Sequence, residues 1–218
     1  MTSTRGSAGR TAAAMTRPKV MLARFTGGEK WVHRATAALM GICLLTAAIL
    51  YLGPLSVLVG RRALVAQVHV IAGIALPIPI LCGWLSRAFR ADAGLLNRLG
   101  PTDWAWLRSR GWRGSRLPVG KFNAGQKLNA SFITGAIGVL LGTGLIMRYA
   151  NTWPLSLRTG ATFVHDWLSY AVAGVLLGHV MFAVRDPESR SGLRTGVVSA
   201  SWAREKHPGW AGEARDRG

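Results

Sequence analysis

Four apolar stretches of about twenty residues each, nearly free of charge inside and flanked by arginine, constrain this chain more than any other feature. They cover residues 32–52, 63–84, 127–147 and 161–184. At about 1.5 Å of rise per residue, each is long enough as a helix to cross the roughly 30 Å hydrocarbon core of a bilayer. Isolated strands are excluded, because unpaired backbone groups cannot face lipid. The predicted fold is therefore an all-α membrane protein, a four-transmembrane-helix bundle. Pro77 and Pro79 fall inside the second stretch and predict a kink that neighbouring helices can tolerate.

The charge is segregated in the same way. A formal +18 invites a nucleic-acid reading, but the basic residues flank the apolar spans, which is how orientation in a bilayer is encoded. Counted outside the spans, Lys and Arg number seven before residue 35, nine over 87–127 and seven from residue 185 onward, against two and two in the other connections. The positive-inside rule then puts both termini and the long 87–126 connection in the cytoplasm. Residues 1–30 read as a basic, flexible tail, with a short interfacial helix around "KVMLARF" and no apolar core of signal-peptide length before Trp31. Residues 31–184 form the membrane domain and 185–218 a cytoplasmic tail. Two cysteines, Cys43 and Cys82, lie in apolar runs without any CxxC or CxxCH. That excludes a zinc ribbon and covalently attached c-type haem, and both read as small core residues.

Histidines carry the chemistry. Of five, four lie in the spans: His33, His69, His165 and His179. The up-and-down order puts His33 and His179 near the cytoplasmic face, and His69 and His165 near the outer face. On the fourth helix the fourteen residues from His165 to His179 rise about 21 Å and end about 40° short of full turns, so both rings leave nearly the same face. Two metal centres stacked across the bilayer, each with imidazoles from two helices, fit that pattern. Ionisable groups inside spans are costly and usually functional. Imidazole suits iron, and two per iron leave no open position for oxygen chemistry. A zinc or proton transporter is the chemical rival, but it would want carboxylates beside the histidines, and the one acid inside a span is Asp166. Asp166 itself reads either as a proton carrier or as an interfacial residue.

Other features have two readings each. Gly138/Gly142 and Gly174/Gly178 are spaced for close helix packing or for room beside a flat macrocycle. Arg34, Arg61 and Arg62 read as interface anchors or as partners for propionates. Trp104, Trp106 and Trp112 read as interfacial anchors or a subunit-docking surface. His207, in "REKHPGW", reads as an exposed tail residue. No nucleophile–base pair, phosphate loop or paired carboxylates are present.

The string "KFNAGQK" at residues 121–127 could be only a turn before a helix. It also resembles the signature of the cytochrome b (gamma) subunit of respiratory formate dehydrogenase, within the di-haem cytochrome b561-like membrane family. "KWVHRATA", "VHVIAG", the fourteen-residue histidine spacing and "VVSASWAREKHPGW" follow in that family's order, from about residue 28 to 210. The resemblance implies two b haems, one held by His33 and His179 and one by His69 and His165. It implies a quinone pocket (menaquinone or ubiquinone) near the cytoplasmic haem, at Asn123 and Gly125, with Gln126 adjacent. It also implies an iron–sulfur (beta) subunit and a molybdenum- or tungsten-containing catalytic (alpha) subunit as partners, no nucleic acid, and a place in the bacterial inner membrane. Electrons would pass from the iron–sulfur subunit through the haems to quinone. Residues 103–118 and the basic N-terminal extension have no counterpart in the resemblance. The cytochrome b subunit of a nickel–iron hydrogenase shares the broad pattern.

Overall fold

The computed structural model describes residues 20–109 and 117–216. The expected flexible tail over residues 1–19 and the expected role of Trp112 lie outside them. Among the described residues, four helical segments are long and apolar enough to cross a membrane. The first is α1 (Gly27–Tyr51) and the third α7 (Ala124–Arg148); the fourth is α8 (Leu155–Arg185). Between α1 and α7 come α2 (Gly53–Val59), then α3 (Arg62–Ala75) and α4 (Ile78–Gly83), which together make the second span.

Local chemistry sets these limits. α1 begins five residues before the expected position 32 because Thr26 and Glu29 form a capping box. The Thr26 amide donates to Glu29 Oε2 at 2.7 Å, and the Glu29 amide donates to Thr26 Oγ1 at 3.4 Å. Asn123 and Gln126 do the same for α7, at 2.9 and 3.0 Å. The break between α3 and α4 fulfils the proline expectation. Pro79 has no N–H to offer the Ala75 carbonyl, so the helix stops at Ala75 and restarts at Ile78.

The bundle core is a thin apolar layer of Met40, Leu76, Ala136, Ile137 and Val172. Outward-facing side chains are apolar too: Leu45, Ile71, Phe163 and Phe182 are between 60 and 73 % exposed. A surface of that kind suits lipid rather than water.

At the end of the bundle where α1 begins and α8 ends, a small sheet joins residues from the two ends of the chain. Residues 21–23 are a strand, β1 (Met21–Ala23), not an interfacial helix. It pairs antiparallel with β2 (Val197–Ser199), Met21 opposite Ser199 and Ala23 opposite Val197. The fold is thus four spanning helices plus a two-stranded clip. The clip is favoured because Leu22 buries against Val198, Trp202, Ala203 and Trp210, a payload that a lone amphipathic turn could not bury. The C-terminal segment is helical: α9 (Pro187–Thr195), α10 (Ala200–Lys206) and α11 (Pro208–Asp216). The 87–126 connection likewise holds α5 (Arg87–Leu96) and α6 (Pro101–Arg108). Lys121 ties it to α5 through Asp92 at 2.6 Å, and Lys127 ties α7 to α6 through Asp103 at 2.6 Å.

Gly196 is the hinge of the clip. Its φ of 97° lies in the left-handed region, its carbonyl accepts from the Arg24 amide at 2.8 Å, and an added Cβ would sit 2.6 Å from the Phe25 carbonyl oxygen. Gly196→Ala is therefore expected to cost about 1–2 kcal/mol and to lower the thermal midpoint of the detergent-solubilised protein.

His207 corrects another expectation. It is 2 % exposed rather than an exposed tail residue. Its Nδ1 donates to the Gly120 carbonyl at 2.8 Å, and its Nε2 accepts from the Arg24 guanidinium at 3.2 Å. The Trp202 ring lies 5.1 Å away. A residue read as polar tail is buried because it joins three segments distant in sequence. Burial, with Arg24 beside it, holds the imidazole down to about 4. Burial also lowers Arg24 to about 10, which leaves it charged at neutral pH. The unfolded chain then binds a proton at His207 that the folded chain refuses. Its contribution is full above about pH 6.5 and is lost as pH falls towards 4, a span worth about 3 kcal/mol. Asp92, pushed up to about 7 by burial and by the neighbouring Glu29, slopes the other way: its contribution is full below its ordinary range and is lost as pH rises through about 7. Thermal midpoints measured from pH 4 to 8 should therefore fall more steeply on the acid side in the parent chain than in His207→Gln.

Cys43 is buried, as expected, but Cys82 is exposed on the apolar outer face of α4 and is not a core residue.

Candidate functional site

The four span histidines meet in two pairs. His33 from the start of α1 faces His179 near the end of α8, with ring centroids 6.3 Å apart. His69 from α3 faces His165, ten residues into α8, again 6.3 Å apart. α8 thus supplies one ring to each tier. The apolar core layer lies between them: Val172 is seven residues from each α8 histidine, and Met40 is seven residues beyond His33. The pairing expected from depth is the pairing found.

The gap itself carries chemical information. Two imidazoles in van der Waals contact, or joined by a hydrogen bond, need no common spacing. Two metal–nitrogen bonds of about 2.0–2.1 Å, plus about 1.1 Å from each ring nitrogen to its ring centre, span about 6.3 Å. Both gaps are wide enough to admit one metal atom between two imidazoles. Among the described residues no three His, Cys, Asp or Glu side chains group as a metal-holding cluster. The donor set is two nitrogens per tier, which suits a macrocycle that brings four of its own. His69 and His165 are half-buried, whereas His33 and His179 are exposed at the edge of their gap.

The His69–His165 tier opens into a cavity of about 570 Å³. Gly73 and Gly144 line it. A Cβ on Gly73 would meet nothing within 4 Å, and one on Gly144 would press on His165 Cε1 at 3.3 Å. These glycines keep the walls clear. Gly138, Gly142, Gly174 and Gly178 also have nothing within 4 Å of an added Cβ, so their spacing does not reflect close helix packing. Each ring of this tier has a threonine behind it. Thr46 Oγ1 is 2.9 Å from His69 Nδ1, and Thr143 Oγ1 is 2.9 Å from His165 Nδ1. Sequence reasoning missed both, because a lone threonine in an apolar helix is a common, silent residue.

Arginines sort differently from expectation. Arg62 lines the cavity, as does Arg148 at the end of α7, which sequence reasoning overlooked. Arg62 also donates to the Leu50 carbonyl at 2.7 Å. Arg34 instead donates to the Arg194 carbonyl at 3.0 Å and ties α1 to α9. Asp166 lines the same cavity.

Asn123, Gly125 and Gln126 lie at the start of α7, at the end of the bundle that carries His33 and His179. Their first task is structural. The Asn123 and Gln126 side-chain oxygens are taken by the capping box. Gly125 leaves room for the Trp106 indole, whose Cη2 would lie 3.2 Å from an added Cβ. Trp106 therefore packs within the protein, whereas Trp104 is 53 % exposed.

Residues 24–193 match the family model described as prokaryotic cytochrome b561. The chain belongs to that family. It is a multi-pass membrane cytochrome b, and membership implies haem b as the prosthetic group. Among curated proteins, this cytochrome b561-family chain is similar to the cytochrome b556(Fdn) subunit of nitrate-inducible formate dehydrogenase from Escherichia coli K12, 34 % identical over 95 residues. That stretch is 42 % of this chain and 44 % of the relative. The Shigella flexneri protein of the same name matches equally. The formate dehydrogenase cytochrome b556 subunit of Haemophilus influenzae is 29 % identical over 94 residues, 42 % of this chain and 40 % of its own. The chain thus spans less than half the length of the curated relatives it matches.

Proposed function

We propose that this protein is the di-haem cytochrome b subunit of a formate-dehydrogenase-type complex, linking an iron–sulfur subunit and its molybdenum- or tungsten-containing partner to membrane quinone. The observation that carries it is the repeated 6.3 Å gap between facing imidazoles, made twice by different helices. The names of the relatives support the choice of complex. His33 with His179, and His69 with His165, would hold one haem b each. Haem would supply reversible one-electron chemistry when bound, and each histidine pair would provide its protein ligands. Around the His69–His165 tier, Arg62 and Arg148 offer cations to propionates at the cavity rim. At the other end, the cap on α7 uses the Asn123 oxygen and leaves its amide nitrogen to donate to a quinone carbonyl, with Gly125 and Gln126 beside it. In this reading the end that carries the clip faces the bacterial cytoplasm, as the basic residues there suggest.

The test is spectroscopic. The full chain, expressed with ample haem and purified in detergent, is expected to give a reduced b-type spectrum and two haems per chain by pyridine haemochrome assay. Co-expressed with its iron–sulfur and catalytic partners, it should be reduced by formate and reoxidised by added quinone. A protein that binds no haem, or that no partner can reduce, would overturn this assignment.

A further inference from the structure

We propose that Thr46 and Thr143 are positioning residues that fix the tautomer of His69 and His165 and make theirs the more reducing of the two tiers. This rests on the di-haem reading above. The two contacts are built alike. Thr46 on α1 reaches His69 on α3, and Thr143 on α7 reaches His165 on α8, each at 2.9 Å. A hydroxyl has a single hydrogen. Thr46 directs its own to the Ile42 carbonyl at 2.7 Å, and Thr143 to the Val139 carbonyl at 2.8 Å, each one helical turn back. Both oxygens can then only accept from the imidazole. The proton of each ring therefore sits on Nδ1, and Nε2 is left bare to face the gap. The other tautomer would point an N–H into that gap, where no metal bond can form.

Nothing similar backs the other tier. Among the described residues, the ring nitrogens of His33 and His179 have no hydrogen-bond partner. The difference has an electronic consequence. An imidazole that donates from Nδ1 to an acceptor gains electron density and becomes a stronger ligand. Stronger donation from two sides favours the more positive, oxidised iron. By this effect the threonine-backed tier is set lower in potential, and the tier at the clip end higher. Electron flow from the first to the second is downhill, towards the end that holds Asn123. The two threonines thus supply a direction that the four histidines alone do not.

The experiment uses the full chain loaded with haem, with Thr46→Val and Thr143→Val tested singly and together, and Thr46→Ser and Thr143→Ser as controls. Valine keeps the shape and removes the acceptor; serine keeps the acceptor. Optical redox titration is expected to resolve two midpoint potentials in the parent. In the valine variants the lower one should move upward while the higher stays fixed, with a matching change in one of two low-spin ferric signals by electron paramagnetic resonance. Retention of that haem during dilution is expected to fall about 10–100-fold, and serine should restore both. Where a valine variant loses that haem outright, recovery by serine still supports the proposal. Equal loss in the serine variant would mean that packing, not the hydrogen bond, matters, and would overturn it. So would valine variants that keep potentials and spectra unchanged. Failure of the di-haem reading is separately visible, since the parent itself would then bind no haem pair.

Discussion

His165→Ala is expected to leave one haem per chain where the parent has two, and His179→Ala to leave the other one. Each tier draws one ring from α8. Fourteen residues separate the two α8 histidines, about 21 Å along the axis. The apolar layer of Met40, Leu76, Ala136, Ile137 and Val172 fills the space between. Sites so far apart, with no shared partner, behave independently, so removing one ring should not disturb the other tier. The surviving haem should differ between the variants, because the His69–His165 tier has hydroxyl partners and the other does not. The double variant should bind none. It should also melt at lower temperature, since a prosthetic group bound only by the folded state stabilises that state. Pyridine haemochrome assay against protein concentration reads the stoichiometry, and formate-driven quinone reduction by the assembled complex should be lost in each single variant. A His179→Ala protein that keeps both haems and full quinone activity would refute the pairing.

Why was this pairing legible while the clip was not? The tiers follow from two local regularities: consecutive spans alternate in direction, and the 100° step per residue fixes which face a side chain leaves. Both are read from neighbours in sequence. The clip depends on Met21 meeting Ser199 and on Arg24 meeting His207, contacts between opposite ends of the chain. A six-residue stretch such as "KVMLAR" has no local signal that decides between strand and interfacial helix. His207 looked exposed because its sequence neighbours are Lys, Glu and Pro; burial came from Trp202 and the Gly120 carbonyl, neither adjacent to it in sequence. Thr46 and Thr143 show the same limit within the site. Each is one hydroxyl in an apolar helix, and only the partner ring on another helix gives it meaning. The KFNAGQK motif was visible as a string, but its division of labour was not: the Asn123 oxygen is held by the Gln126 backbone amide, so only the rest of that side chain is free.

Filling the cavity should separate fold from cofactor. Gly73 lies one turn beyond His69 on α3, on the same face, and lines the 570 Å³ cavity with nothing within 4 Å of an added Cβ. Gly73→Leu therefore meets no protein atom at its first carbon. A glycine inside a helix costs about 0.5–1 kcal/mol relative to a good helix former, so the helix itself should gain from leucine. The branched end of that leucine, however, projects into the space that a macrocycle between His69 and His165 would need. The expected result is a chain with unchanged helical circular dichroism that carries only the haem of the His33–His179 tier. Gly41→Leu is the control. Gly41 also has nothing within 4 Å of an added Cβ but does not line the cavity, so that variant should keep both haems. Gly144→Leu should act by a different route, since its added carbon would press on His165 Cε1 at 3.3 Å and turn the ring itself. There the remaining haem should be normal, and any haem retained at the altered tier should show a shifted spectrum. If Gly73→Leu binds two haems with unaltered spectra, the cavity is not where the second haem sits, and the match between the 6.3 Å gap and a metal is fortuitous at that tier.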